Sequence, residues 1–183
     1  RWSASVTGAS ATADYRNIFN TFGWIVEIDP FAPTSTPLKH SALGRFAHEG
    51  CWPCKAVAGK PVVFYMGDDS RNEYIYKFVS KALWDAADVG KGHAAGQKYM
   101  GEGTLYVAKF NADGSGTWVE LTHGKNGLDA SNATYAFADQ ADVVVHARLA
   151  GDVVGATKMD RPASGAVNPT DTDDSMTPTN NNN

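Results

Sequence analysis

The alternation of side chains near the middle of the chain constrains its fold more than any other feature. An apolar run, 62–66, leads into a polar segment, 67–73, after which Tyr74, Tyr76 and Phe78 share one parity. Alternation with a period of two, rich in aromatic and β-branched residues, is typical of a β-strand. The stretch therefore predicts a strand, a tight polar turn and a returning strand, with polar groups exposed at the strand end.

A plain hairpin is the simplest explanation of the polar segment. Gly67-Asp68-Asp69-Ser70 contains residues that favour tight turns, because Asp and Ser bond to their own backbone and Gly accepts positive φ. Acidic side chains are also usually solvated surface groups. The pattern by itself therefore predicts a hairpin and leaves the chemistry of its polar residues open.

Short strands separated by turn residues recur along the rest of the chain. Their side-chain patterns predict strands over 22–28, 38–46, 103–110 and 117–121. The segment 111–116 joins the last two strands as a hairpin turn. Antiparallel strands at such close spacing are typical of sandwiches and propellers, so the expected fold class is mainly β.

One helix is predicted, over 139–150. Asp139 suits its N-cap and Gly151 its C-terminal end. The β-branched residues 143–145 leave a strand as the alternative there. A short helix around 83–88 is also compatible with the sequence.

The composition limits both the architecture and the partners. The 183 residues, 43% of them hydrophobic, suffice for one domain with its own core. We expect a flexible segment over 1–20, the folded domain over 21–169 and a polar, disordered tail over 170–183. The net charge of −4 without a basic cluster argues against nucleic acid as a partner, and no apolar run is long enough to span a membrane.

Three blocks of sequence together resemble the PhoX-type bacterial alkaline phosphatases. They lie at 23–30, 63–80 and 155–162 and follow the order of the family. The resemblance implies a β-propeller, so the expected fold is a partial β-propeller with one inserted helix. It also implies a monomeric, periplasmic or extracellular enzyme that hydrolyses phosphate monoesters. Arg1 in place of Met suggests an excerpt of a longer protein, and we expect the isolated chain to be inactive.

The resemblance also implies roles for individual residues. Arg71 matches a position that contacts phosphate, which suits a guanidinium because its fork binds two phosphate oxygens. Glu73, Asp160 and Glu49 would be ligands of a cluster of Ca²⁺ and Fe³⁺ ions, for which carboxylates are suitable hard donors. Lys158 is the candidate for a second cation at the phosphate, with a solvated lysine as the alternative.

Further metal-ligand candidates follow from residue type alone. Histidine and carboxylate side chains near the polar segment add His48, Asp68 and Asp69 to that set. Each acid taken singly is more typical of a solvated surface group.

One departure from the family favours a different function. The family usually continues Met-Asp-Arg-Pro with Glu-Trp, whereas this chain has Ala163-Ser164. The missing carboxylate favours a non-catalytic β-propeller binding module that has lost the metal site.

The Cys51-Trp52-Pro53-Cys54 motif supports several alternatives. A local disulfide or two free thiols, a zinc site and a thiol oxidoreductase all use such spacing. The redox alternative requires a helix after a strand, and the hairpin pattern of 61–80 does not predict one. The family's cysteine ligand of iron is implied to lie in a part that this chain does not contain, so neither cysteine is equated with it.

Overall fold

The computed structural model describes residues 7–10, 16 and 18–168, together with the backbone of 175–176. Its strands are β1 (Ile25–Glu27), β2 (Leu38–His40), β3 (Trp52–Pro53), β4 (Pro61–Gly67), β5 (Arg71–Glu73), β6 (Ile75–Leu83), β7 (Gly103–Phe110), β8 (Gly116–Glu120), β9 (Met159–Asp160), β10 (Ala166–Val167) and β11 (Ser175–Met176). Its α-helices are α1 (His93–Met100), α2 (Gln140–Val145) and α3 (Ala147–Val154). The fold is mainly β, as predicted, and it does not contradict the expected partial β-propeller.

A five-stranded antiparallel sheet, in the order β3-β4-β6-β7-β8, forms the centre of the fold. β4 and β6 pair as far as Gly67, which lies opposite Ile75. The predicted hairpin between β7 and β8 is confirmed, because the Asn111 amide donates to the Ser115 carbonyl oxygen at 2.8 Å across the turn. Strands that follow one another closely in sequence therefore pair in the sheet.

The aromatic face predicted around β6 lies at the centre of the core. Tyr74, Tyr76 and Phe78 are 1%, 0% and 0% exposed. Helix α3 packs so closely on this face that a Cβ atom on Gly151 would lie 2.7 Å from the Tyr74 ring. The alternation in sequence thus identifies the buried face correctly, and these large rings supply much of its apolar area.

The tight hairpin turn predicted for 67–73 is wrong. β5 leaves the central sheet and pairs antiparallel with β9, so that Arg71 lies opposite Asp160. The register shifts within β5, where Asn72 has a φ of 61°. Asn tolerates this left-handed conformation better than most residues. The polar segment is therefore part of a second, two-stranded sheet.

Two helices, α2 and α3, replace the single helix predicted over 139–150. Asp139 caps α2 as predicted, because its side chain accepts a hydrogen bond from the Asp142 amide at 2.8 Å. The helical path is interrupted at His146, and α3 then continues to a left-handed C-cap at Gly155. The predicted helix therefore ends too early.

The structure contains more helix than the one insertion expected from sequence. Helix α1 lies close to β1, since a Cβ atom on Gly96 would overlap the Glu27 carboxylate. The expected helix around 83–88 is only a 3-10 turn at Ala86–Asp88. The strand alternative over 143–145 is wrong, because these residues belong to α2.

The N-terminal strands are shorter than predicted. Instead of 22–28 and 38–46, the structure has β1 and β2, and a 3-10 turn at Ser41–Leu43 follows the second.

Most of the predicted flexible segment 1–20 and of the tail 170–183 lies outside the described residues. Among the helices in the described ranges, none is long and apolar enough to cross a membrane.

Candidate active site

The two-stranded sheet of β5 and β9 carries most of the site residues predicted from sequence. Arg71 lies opposite Asp160 in the backbone register, and Glu73 lies opposite Met159. Lys158 directly precedes β9. Backbone pairing therefore places a guanidinium, an ammonium and two carboxylates on neighbouring positions of one small ribbon.

Gly67 allows this ribbon to approach the end of β4. A Cβ atom at Gly67 would lie 2.5 Å from the carbonyl oxygen of Pro162, which follows β9. The Glu49 amide donates to the Gly67 carbonyl oxygen at 3.2 Å, so the fifth predicted site residue belongs to the same edge. The absence of a side chain at Gly67 is thus a requirement of the site's packing.

Replacing Gly67 with alanine is expected to destabilise the protein by about 1–3 kcal/mol, because the methyl group must displace the Pro162 backbone. The displacement would also weaken the pairing of β5 with β9. Chemical denaturation measures the first effect, and hydrogen exchange of the β5 amides measures the second. Wild-type stability and wild-type exchange together would contradict the close packing at Gly67.

Arg148 of α3 links the polar segment to the helical layer. Its Nε and Nη2 atoms donate to Oδ2 and Oδ1 of Asp68, both at 2.7 Å, and Nη2 also donates to Ser70 Oγ at 2.9 Å. Asp68 is fully buried. A bidentate pair of this kind is strong and directional, and it balances a charge that would otherwise be costly to bury.

Glu73 lies beside the same guanidinium. Its side chain is 20% exposed, and Oε1 lies 3.5 Å from Arg148 Nε. Burial raises the pKa of Glu73 to about 7, while Arg148 opposes this rise. Carboxyl groups that change charge near neutral pH are concentrated at functional sites, although ion-pair networks also produce them.

Asp152, one helical turn after Arg148, holds the other cation of the ribbon. The Tyr74 hydroxyl donates to Asp152 Oδ1 at 2.6 Å, and Lys158 Nζ lies 3.5 Å from the same oxygen. Both charged side chains are largely exposed, so their ion pair adds little to stability. Its effect is to keep the Lys158 ammonium close to the start of β9.

Two further metal-ligand candidates are engaged in other contacts. Asp69 Oδ2 accepts a hydrogen bond from Arg161 Nη2 at 2.8 Å, while its Oδ1 is buried without a partner among the described residues. His48 Nε2 lies 2.9 Å from the Gly44 carbonyl oxygen, and its ring stacks on Phe46 with centroids 3.7 Å apart. His48 is half-buried and is held by these contacts with its own segment of the chain.

Comparison with known proteins agrees with the resemblance seen in the sequence. The family model described as alkaline phosphatase PhoX matches residues 3–183. This chain belongs to the PhoX family. No curated protein matched the chain.

A solved PhoX structure shows the same fold in a longer chain. It is described as Pseudomonas fluorescens PhoX in complex with vanadate, a transition state analogue. The two chains share 49% sequence identity and superimpose with a TM-score of 0.76. The match covers 88% of this chain and 28% of the other, so this chain spans less than a third of that PhoX relative.

The described residues of this chain supply an incomplete set of ligands for the metal ions implied for PhoX. Over the described ranges, no group of three or more His, Cys, Asp or Glu side chains is arranged to hold a metal ion. Glu49, Glu73 and Asp160 therefore belong to one edge without forming such a group. The carboxylates of Asp68 and Asp69 are paired with arginines. The carboxylate oxygens are suitable ligands for hard cations such as Ca²⁺. The described residues do not bring enough of them together to hold such an ion.

The two cysteines of this PhoX chain form no disulfide, so of the two alternatives, a local disulfide or thiols, the thiols are confirmed. They flank strand β3, which is not the helix N-terminus that a redox motif requires. Burial raises the pKa of Cys51 to about 12, which disfavours the reactive thiolate. The zinc alternative lacks a sufficient ligand group in the part of the chain that the structure describes.

Sequence reasoning missed the contribution of helix α3. Neither Arg148 nor Asp152 was predicted as a site residue. The two are four residues apart, so they lie on one helical face, which here points at β5, Tyr74 and the start of β9. In the sequence, the four-residue spacing of the opposite charges was the signal that could have indicated this role. Surface ion pairs on helices commonly have the same spacing, so it does not distinguish a site residue.

Proposed function

We propose that this chain forms the phosphate-binding part of a metal-dependent phosphomonoesterase, an alkaline phosphatase that hydrolyses phosphate monoesters. The observation that carries this proposal is the ribbon that sets Arg71 opposite Asp160, with Glu73 and Lys158 beside them. Support comes from the PhoX relative, which was solved with vanadate and is 49% identical. An enzyme of this class must bind a dianion and stabilise the charge that develops during phosphoryl transfer.

The cations of the ribbon have separate roles in this proposal. The Arg71 guanidinium donates two parallel hydrogen bonds to phosphate oxygens, which fixes the orientation of the ester. The Lys158 ammonium neutralises a further part of the charge as a compact point charge, with Asp152 holding it near β9. Together they favour an anion at an edge of the chain that also carries acidic residues.

The carboxylates are proposed to hold the metals. Glu73, Asp160 and Glu49 would bind Ca²⁺ and Fe³⁺ together with donors that the described residues do not supply. When bound, such ions supply charge neutralisation and polarisation of a phosphoryl oxygen. The desolvation of Glu73 favours a cation beside it, because a nearby positive charge stabilises the ionised carboxylate.

Orthovanadate and inorganic phosphate are the probes that test this proposal. We expect the chain to bind both, and we expect Arg71→Gln to weaken that binding at least tenfold, which is the loss of one charge-assisted contact of about 1.5–3 kcal/mol. Turnover of p-nitrophenyl phosphate is measured in parallel. If a folded wild-type chain binds neither anion, the proposed phosphate site is wrong.

Calcium is expected to raise the stability of a folded protein that contains this chain together with the missing donors, because a ligand that binds only the native state stabilises it. At a concentration 100 times its Kd, the gain would be about 2.7 kcal/mol. Thermal melts with Ca²⁺ and with excess chelator measure the effect, and Glu73→Gln should reduce it. Superimposable melts of the wild type under both conditions would exclude these residues as a calcium site.

A non-catalytic β-propeller binding module that has lost the metal site is the second candidate, and Ala163 favours it. Ala163 is buried, 5% exposed, at the position where the resemblance leads us to expect glutamate. Anion binding without turnover and without bound metal, in a protein that contains this chain, would support the module. Turnover at rates typical of enzymes would exclude it.

The proposed location is periplasmic or extracellular, which fractionation of the source cells tests.

A further inference from the structure

Among the described residues, the Arg148 side chain makes its polar contacts with one short segment of the chain. Its guanidinium contacts Asp68 twice, Ser70 once and Glu73 at a longer distance. All three partners lie between the end of β4 and the start of β6. The side chain therefore spans the segment that also carries Arg71.

The other contacts of this segment hold mainly its first residues: the Asp69 amide donates to the Ala47 carbonyl oxygen at 2.9 Å, and Asp69 Oδ2 accepts from Arg161 Nη2 at 2.8 Å. Between Gly67 and Ile75 it leaves the central sheet, and β5 pairs only with the two residues of β9. The register shifts within β5, and Asn72 has positive φ. A short, irregular strand with one short partner has few ladder hydrogen bonds, so a side-chain tether has a large influence on its position.

The other end of the tether is rigid. Arg148 lies in the first turn of α3, whose residues Ala147, Ala150 and Gly151 are buried. The guanidinium is planar and offers several donors in a fixed arrangement, so it fixes direction as well as distance. A helix anchored in the core thus determines where Asp68 and Ser70 lie.

We propose that Arg148 is a positioning residue for phosphate binding, which it promotes by holding 68–73 so that Arg71 and Glu73 face the substrate. The proposal rests on the proposed function. Arg148 itself need not touch the phosphate, because its Nε and Nη2 donors are engaged by the segment. The competing explanation is that Arg148 only neutralises the buried Asp68 carboxylate, in which case stability would change and the alignment of Arg71 would not.

Three variants separate positioning from charge neutralisation. Arg148→Lys keeps the positive charge but loses the planar guanidinium and its paired hydrogen bonds. Arg148→Gln combined with Asp68→Asn removes both charges, so that no unpaired carboxylate remains buried. Arg45→Lys is the matched control, because the Arg45 guanidinium donates to the backbone carbonyl oxygens of Val145 and Phe19 instead of to the segment.

Two measurements are made on each folded variant: the Kd for inorganic phosphate and the hydrogen exchange of the amides of 68–74. We expect both Arg148 variants to bind phosphate at least tenfold more weakly and to exchange faster over 68–74. Arg45→Lys should match the wild type in both. The double variant should recover the melting temperature without recovering the affinity, a result that simple neutralisation does not produce.

Wild-type exchange over 68–74 in both Arg148 variants would overturn the proposal, whatever the anion affinity. Wild-type phosphate affinity in the double variant would also overturn it. A failure of the proposed function gives a different result, because neither the wild type nor Arg71→Gln would then bind phosphate. The hydrogen exchange over 68–74 would still show whether Arg148 holds the segment. If Arg45→Lys changed the phosphate Kd and the hydrogen exchange over 68–74 as strongly as Arg148→Lys does, these changes would not be specific to Arg148. The positioning role would then be rejected.

Discussion

Replacing Arg71 with lysine is expected to lower the turnover of a phosphate monoester about ten- to a hundredfold in an active protein that contains this chain. Lysine keeps one positive charge but loses the planar fork and its paired hydrogen bonds. A charge-assisted contact of this kind is worth about 1.5–3 kcal/mol, and the full amount appears in the rate if the contact acts in the transition state. Steady-state kinetics with p-nitrophenyl phosphate measure the loss.

The melting temperature decides what the kinetic loss means. Arg71 is exposed, so its substitution should leave stability nearly unchanged. Arg45→Lys, at a half-buried arginine outside β5, is the matched control and should retain kcat/KM. Unchanged kcat/KM in Arg71→Lys would remove Arg71 from the site, whereas a large fall in both kcat/KM and melting temperature would make it a structural residue.

Lowering the pH from about 6.5 to about 4 is expected to cost the protein roughly 3 kcal/mol of stability through His48 alone. Burial lowers the pKa of His48 from 6.5 to about 4, so the folded state resists protonation while the unfolded state accepts a proton. The unfolded state therefore binds more protons between these values, and stability falls as the pH falls. Below about 4 both states are protonated and the effect is complete.

His48→Gln isolates this contribution, because glutamine can still donate to the Gly44 carbonyl oxygen but remains neutral at every pH. Urea denaturation at several pH values should give a shallower pH dependence for this variant than for the wild type. His123→Gln, in the loop after β8, serves as the control for replacing a histidine elsewhere. Parallel curves for the wild type and His48→Gln would show that His48 is not held neutral by burial.

The alternation around β6 predicted a strand because the spacing of its side chains follows directly from the period of a strand. Tyr74, Tyr76 and Phe78 are nearly or fully buried, as their spacing indicates. The hairpin at 111–116 was equally predictable, since its turn residues bond locally. Features determined by neighbours in sequence can be read from sequence.

The route of β5 could not be predicted in this way. Gly67-Asp68-Asp69-Ser70 has the local chemistry of a tight turn, yet Asp68 bonds to Arg148 and Asp69 bonds to Arg161, both far away in sequence. Tertiary ion pairs thus override the local preference. The same reasoning explains why family resemblance, rather than pattern, supplied Arg71 and Glu73 as site residues.

The pairing of β5 with β9 also has a consequence for the order in which the protein is made. Arg71 belongs to the first half of the chain, and its partner Asp160 lies close to the end of the described residues. Closing so long a loop carries an entropic cost that local hairpins avoid. During synthesis the central sheet can form from strands already released, whereas the ribbon of β5 and β9, the proposed phosphate site, must wait for β9. A ribosome-bound chain that stops before Lys158 should therefore contain a folded core without a substrate site.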